Sequence, residues 1–240
     1  MKLKDDVWKS GKVVNQFLTG VRGAIPLAQT QIEVMLRLLA TRRQPLRRFL
    51  DLGCGNGVLG AAVLEKYPRA AGVFADFSEP MLAACRAKLA GKRVTTLSLD
   101  FGKLDWAKAV AEVGPFDAIV SGFAIHHQPD SRKRTLYREI YRLLAPGGWF
   151  VNIEHVAPAT PLTTAIFDEV MIDSIHRQQS HLSRATVGRQ FVKRADKAAN
   201  ILAPVEEQCR WLQKIGFTDV DCYFKIYELA VFAGRKEDRR

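Results

Sequence analysis

The residues of this sequence whose types and spacing could do chemistry fall into four groups. In Asp51-Leu52-Gly53-Cys54-Gly55-Asn56-Gly57 an acid precedes three glycines placed at every second position. Glycine lets the backbone approach a ligand closely and tolerates positive φ. Asp76 follows 25 residues after Asp51, and a carboxylate there can accept both hydroxyls of a ribose. Asp100-Phe101 offers an acceptor for an amino group beside a ring that can stack on a base. His126-His127 reads as a base, a metal pair or packing, with Glu154-His155 as candidates to complete a metal site. That spacing matches no compact metal motif, so no metal is assigned.

The elements that must position these groups are legible from pattern. Phe49-Leu50-Asp51-Leu52 is an apolar strand, and a helix over 57–67 follows the glycines and stops at Pro68. A second strand over 70–75 ends at Asp76. Ser78-Glu79-Pro80 then carries helix-start signals: a serine N-cap, an early acid and an early proline. Strands over 94–99 and 116–120, a helix over 131–144 and a strand over 149–153 continue the alternation, with Ala145-Pro146-Gly147-Gly148 breaking the helix. Two helices, 6–20 and 27–41, precede the sheet. A helix over 204–215 with Gly216 as its C-cap and two strands, 217–224 and 227–234, close it. This predicts an α/β fold, a doubly wound Rossmann-like sheet of seven strands, mostly parallel with an antiparallel last strand and helices on both faces. One domain over 1–240 is expected, with an N-terminal helical cap (1–44) and a helical insert (157–203) serving as a lid.

Gly55-Asn56-Gly57-Val58-Leu59-Gly60 also fits the dinucleotide fingerprint Gly-x-Gly-x-x-Gly. Charge separates the two readings. A pyrophosphate wants bare N–H groups at a helix N-terminus, and Asp51 beside the loop would repel it. A cationic ligand gains from the same acid. The whole set resembles the class I S-adenosylmethionine (SAM) methyltransferases: Asp-x-Gly-x-Gly-x-Gly first, then Asp76, Asp100-Phe101, Phe116-Asp117-Ala118-Ile119-Val120-Ser121 with Ile125-His126-His127, and Leu143-Leu144-Ala145-Pro146-Gly147-Gly148. The resemblance spans roughly residues 45–156 and 204–235. It implies SAM as cofactor, with S-adenosylhomocysteine (SAH) as product, held by Asp51, Gly53, Cys54, Gly55 and Asn56 in the first loop. Asp76, Phe77 and Met81 would follow from the second strand end, and Asp100, Phe101 and Ser121 from the third and fourth. His126, His127 and Glu154 are the catalytic candidates. A base is needed only where the acceptor must lose a proton, since much of methyl transfer is in-line positioning and desolvation.

Arg22 with Ile25-Pro26, and Gly216-Phe217 with Phe224-Lys225 and Glu228-Leu229-Ala230, are similar to the carboxy-SAM synthase branch, although Leu27-Ala28 stand where that branch places an aromatic. This would put Arg22 on the methionine carboxylate. Three functions follow: methyl transfer to an O, N or C atom of a small molecule, RNA modification or carboxy-SAM synthesis for tRNA, and a non-catalytic SAM-binding module. Net charge is +11. From His176 to Lys197, Arg177, Arg184, Arg189, Lys193, Arg194 and Lys197 face Asp196 alone, which favours an anionic acceptor. Phe191 is the only aromatic among those charges, which weakens the RNA reading. Ile166, Phe167, Val170, Met171 and Ile175 would form the apolar face of a lid helix. No uncharged apolar run approaches the ~20 residues of a membrane span. Met1-Lys2-Leu3-Lys4-Asp5-Asp6 lacks the core of a signal peptide. Four scattered cysteines argue for reduced thiols. A cytoplasmic monomer or homodimer without membrane contact is expected.

Overall fold

The computed structural model describes residues 22–238, apart from the side chains of Arg22, Ala195 and Asp196. The helix predicted over 6–20 lies outside them. The sheet has seven strands in the order β3-β2-β1-β4-β5-β7-β6: β1 Arg48–Leu52, β2 Ala71–Asp76, β3 Val94–Ser98, β4 Phe116–Gly122, β5 Leu144–His155, β6 Thr218–Ile226 and β7 Leu229–Arg235. β1 pairs in parallel with both β2 and β4, β2 with β3, and β4 with β5. β7 runs antiparallel between β5 and β6. The order reverses direction between β1 and β4, so a crevice opens beyond the carboxyl ends of these strands.

Helices cover both faces. On one side α1 (Ala28–Ala40), α2 (Val58–Lys66) and α3 (Glu79–Lys88) bring Met35, Leu39, Val63 and Leu82 onto Phe49, Phe74 and Val151. On the other, α4 (Trp106–Ala111) and α5 (Asp130–Leu143) bring Trp106, Leu136 and Tyr137 onto Leu50, Ile119 and Phe150. The central strands are therefore buried on both faces and read as continuous apolar runs. β1 shows this: all of Phe49–Leu52 is buried, and only Arg48 reaches solvent.

Beyond β5 the chain forms α6 (Pro161–Gln178), α7 (Arg184–Val192) and the short α8 (Ala195–Ala198), then α9 (Val205–Ile215), which returns to the sheet. The Thr160 and Ser183 side chains accept the N–H groups of Thr163 and Thr186 and so start α6 and α7. The buried stripe of α6 is Phe167, Met171, Ile172 and Ile175. Ile172 takes the place the sequence gives to Ile166, which is 40% exposed. With Val187 and Phe191 of α7, Ala24 and Leu229, that stripe forms a small separate apolar cluster.

Two further differences from the sequence reading have local causes. β5 starts at Leu144 rather than Trp149, because Leu144 already pairs with Phe116 while Ala145–Gly148 bulge out before Ala118 meets Trp149. Gly147 N–H and Gly148 C=O are taken by Lys236. α4 is too short to give a helical period in the sequence.

Candidate active site

The first cavity opens at the carboxyl ends of β1, β2 and β4. Gly53, Gly55, Asp76, Phe77, Met81, Asp100 and Phe101 line it, together with Ser78, Gly122, Phe123, Ala124, His127 and Gln128. Gly53 has φ +66°, and a Cβ there would stand 2.4 Å from the Ala124 Cβ. Gly55 has φ +53°, and a Cβ on it would meet only the Met81 sulfur, at 3.8 Å, so glycine leaves this wall open to a ligand. Asp76 closes the loop: Oδ2 accepts Gly55 N–H and Oδ1 accepts Ser78 N–H, both at 2.8 Å. Burial pushes its pKa up, and these backbone donors pull it back. Asp100 Oδ1 is anchored by Gly102 N–H at 2.8 Å.

Behind Phe123 lies a second cavity, with an empty volume of about 670 Å³ including its open mouth. Ile25, Phe167, Met171, Phe191 and Leu229 supply its apolar wall. His126, His127, His155, Asp168, Arg194, Lys197 and Asn200 supply polar groups. Phe123 and His127 belong to both cavities. Phe123 sits at the junction in a left-handed conformation, φ +52°, which costs a non-glycine residue on the order of 1 kcal/mol.

The histidines are held by carboxylates. His126 occupies a 3₁₀ turn, Ile125–His127, after β4. Its Nδ1 lies 2.5 Å from Glu154 Oε1 at the end of β5, and its backbone N–H reaches Glu154 Oε2 at 3.1 Å. His155 N–H and Asn152 Nδ2 also donate to Glu154, at 3.0 and 3.4 Å. Glu154 is buried, and desolvation pushes its pKa up to about 7 despite these donors. His155 is held on both nitrogens, with Nε2 at 2.7 Å from Glu228 Oε2 and Nδ1 at 3.2 Å from Asn200 Nδ2. The three rings cluster, His126 lying 4.0 Å from His127 and 5.9 Å from His155. Among the described residues no group of His, Cys, Asp and Glu has the arrangement of a metal site.

Of the residues singled out in the sequence, Gly53, Gly55, Asp76, Phe77, Met81, Asp100, Phe101 and His127 come together around the first cavity, and His126 with His127 on the second. Glu154 stands behind His126. Asp51 does not line either cavity. It is buried, and its Oδ2 accepts Gly60 N–H at 2.8 Å, tying β1 to α2. Ser121 is spent on the Leu52 carbonyl at 2.7 Å. Cys54 is buried under the loop, its thiol pKa raised by the hydrogen bond it donates to Cys85 and by burial, and Asn56 is likewise absent from the lining. Arg22 opens a 3₁₀ turn, Arg22–Ala24, but its side chain lies outside the described set. Pattern gave no signal for Phe123, whose left-handed backbone is unusual for its type, or for Asp168 and Asn200; Phe167 and Met171 were legible as one face of a lid helix and Phe191 and Arg194 as part of the insert's basic run, and tertiary packing gathers them on this cavity.

The basic run of the insert is not one surface. Arg184 pairs with Glu169 and with Asp173 on the exposed face of α6. Arg189 donates to Thr186. Only Arg194 and Lys197 of that run line the second cavity.

A family model described as a methyltransferase domain matches residues 49–148. A demethylmenaquinone methyltransferase of Thermus thermophilus is 37% identical over 120 residues, which is 50% of this chain and 52% of that protein. The chain spans about half the length of the curated relatives it matches. Among solved structures, an O-methyltransferase family protein from Burkholderia thailandensis superposes with a TM-score of 0.64 at 18% identity, over 89% of this chain and 57% of that one. Human N-acetylserotonin methyltransferase in complex with SAM gives 0.64 at 16%, over 98% and 59%. These likenesses fix the fold of the sheet with its antiparallel close. The glycine loop and the strand-end acids lie within or beside the stretch that the family model matches, so residues 49–148 carry the likeness to a methyltransferase domain.

Proposed function

We propose that the protein is an enzyme that moves the methyl group of SAM to a proton-bearing atom of a small molecule, with SAM in the first cavity and the acceptor in the second. The observation that carries this reading is the junction: the two cavities meet at Phe123 and His127, with the His126–Glu154 pair on the acceptor side. The first cavity fits the cofactor by charge. Its lining has two carboxylates, Asp76 and Asp100, and neither lysine nor arginine. That suits a sulfonium and an ammonium and would repel a pyrophosphate. Asp76 would take the ribose hydroxyls, Asp100 the adenine amino group, and Phe101 or Met81 the faces of the base.

SAM supplies an electrophilic methyl group, and the remaining work falls to the chain. His126 Nδ1–H donates to the Glu154 carboxylate, which leaves Nε2 as the basic nitrogen of the ring. Nε2 takes the acceptor's proton as its lone pair is committed to the methyl group. Glu154 then stabilises the imidazolium. Phe123, Phe167, Met171 and Leu229 exclude water from the acceptor. The small roofed cavity favours a small molecule over RNA. We read residues 157–203 as a lid on a single domain and not as a second domain, because α6 and α7 share their apolar cluster with Ala24 and Leu229 of the main body.

Incubating the protein with methyl-labelled SAM and a panel of phenols, catechols, enols and amines tests this. Transfer to members of the panel with release of SAH is expected. Tight SAM binding with no transfer to any member would indicate a binding module instead.

A further inference from the structure

A chain of hydrogen bonds runs from the buried end of the second cavity to an amide on its wall. We propose that Asn200 determines which acceptors bind, by taking through its side-chain carbonyl a hydrogen bond from a second hydroxyl or amino group that the acceptor carries beside the group to be methylated. This rests on reading the second cavity as the acceptor site.

The chain of bonds fixes which end of the amide is offered. His155 ends β5, Glu228 lies in the turn between β6 and β7, and Asn200 lies in the loop between α8 and α9. Glu228 Oε2 stands 2.7 Å from His155 Nε2, with the two side chains 4% and 17% exposed. A carboxylate accepts, so Nε2 carries the proton of the neutral ring and Nδ1 is left as an acceptor. Asn200 Nδ2, 3.2 Å from Nδ1, therefore donates to the ring, and Oδ1 is the opposite end of the amide. Among the described residues no group donates to that oxygen. Asn200 is half-buried and lines the cavity together with Phe167, Phe191 and Leu229. An amide oxygen in such a wall costs free energy that a ligand's donor offsets. Asp168, another acceptor on the wall, already sets both oxygens 2.6 Å from Lys197 Nζ.

The place of Asn200 is tied to the base. The next residue, Ile201, gives its N–H to the His126 carbonyl at 2.9 Å, and its own carbonyl accepts from Lys133 Nζ. The His126 and His155 rings lie 5.9 Å apart, and Asn200 sits one hydrogen bond beyond His155. Both contacts therefore fall on one compact molecule. The acceptor that fits has a small apolar body with two donors, one for His126 and one for Asn200. A site that hydrogen-bonds a substrate hydroxyl rejects the analogue lacking it, because its own polar group is then left unpaired.

Diphenols and their monomethyl ethers separate the second donor from shape. Catechol, resorcinol and hydroquinone would be titrated calorimetrically into SAH-saturated protein beside guaiacol, 3-methoxyphenol and 4-methoxyphenol, each of which exchanges one O–H donor for an ether. At least one diphenol is expected to bind about tenfold or more tighter than its ether, the effect of leaving one half-buried acceptor unpaired. Asn200→Ala and the shape-conserving Asn200→Leu should remove that preference by weakening the diphenol alone. Asp168→Ala should leave the preference in place, which separates the two wall acceptors. A merely structural Asn200 would weaken diphenol and ether alike. Equal binding within every pair, failure of every diphenol to bind, equal weakening of both probes by the Asn200 variants, or loss of the preference in Asp168→Ala would overturn the proposal. Labelled methyl transfer to the ethers as readily as to the diphenols would leave the methyltransferase reading standing while this inference fell. A diphenol preference that depends on Asn200, without transfer to any probe, would do the reverse.

Discussion

The two cavities were built in different ways from one chain. The side proposed for the cofactor is made by strand ends: Asp76 ends β2, and Gly53, Asp100 and Phe123 follow β1, β3 and β4, whose parallel register fixes where each loop starts. The side proposed for the acceptor draws Ile25, His155, Phe167, Phe191, Arg194 and Leu229 from segments far apart in sequence, and most of its roof hangs on one small apolar cluster. The first is acidic and the second carries two cations. A cavity set by register can keep one cofactor while the roof changes acceptor, which is how a common fold serves many substrates.

The strongest way to break this division is at the junction. His126→Asn keeps an N–H for Glu154 but removes the base. It should lower methyl transfer by about 10²–10⁴-fold, with SAH affinity unchanged by calorimetry. A parallel loss of SAH affinity would mean that His126 belongs to the cofactor side.

The pH profile sharpens the same point. Glu154 titrates near 7. Once protonated it donates to His126 Nδ1, and the ring proton must then sit on Nε2, so the base is lost. Methyl transfer should fall about tenfold per pH unit below that value, and Glu154→Gln should abolish the inflection. Stability should respond with a defined sign. An acid whose folded pKa lies above its unfolded value binds more protons when folded, so its contribution falls as pH rises from about 4.5 to about 7 and is level above that. The full span is on the order of 3 kcal/mol. Denaturant titrations across that window should show a flatter slope for Glu154→Gln than for wild type.

On the cofactor side, Asp76→Ala should weaken SAH binding about tenfold to a hundredfold, the loss of charge-assisted contacts. Because Asp76 also holds Gly55 and Ser78 N–H groups, Asp76→Asn should recover part of that loss. Full SAH affinity in a folded Asp76→Ala protein would show that the carboxylate only shapes the loop.

Legibility in the sequence followed the same boundary. The βα alternation and the strand-end acids gave the sheet, its helices and most of the first cavity, because loops at parallel strand ends converge whatever their detailed conformation. Within that edge, the sequence named four residues that the cavity lining lacks, Asp51, Cys54, Asn56 and Ser121. Asp51 lies inside β1 with its carboxylate turned under α2, and Ser121 turns onto β1. Strand alternation decides which face a side chain takes, and a motif does not record it. Of the second cavity the sequence showed the lid face and the basic run, but not which of their residues meet. Charge counting grouped Arg184, Arg189 and Lys193 with Arg194, whereas packing turned Arg184 onto Glu169 and Asp173. The smallest effect follows from this. Arg184→Gln, an exposed side chain between exposed acids, should leave melting temperature and acceptor binding unchanged, and a clear loss of acceptor binding would extend the cavity's charge beyond Arg194 and Lys197.

The most direct test of the two-cavity account is a crystal structure of the protein with SAH. The account predicts density in the first cavity, with the ribose on Asp76, the base between Met81 and Phe101, and the sulfur at the junction facing Phe123 and His127. Density in the Phe191 cavity, or a sulfur turned away from that junction, would contradict it.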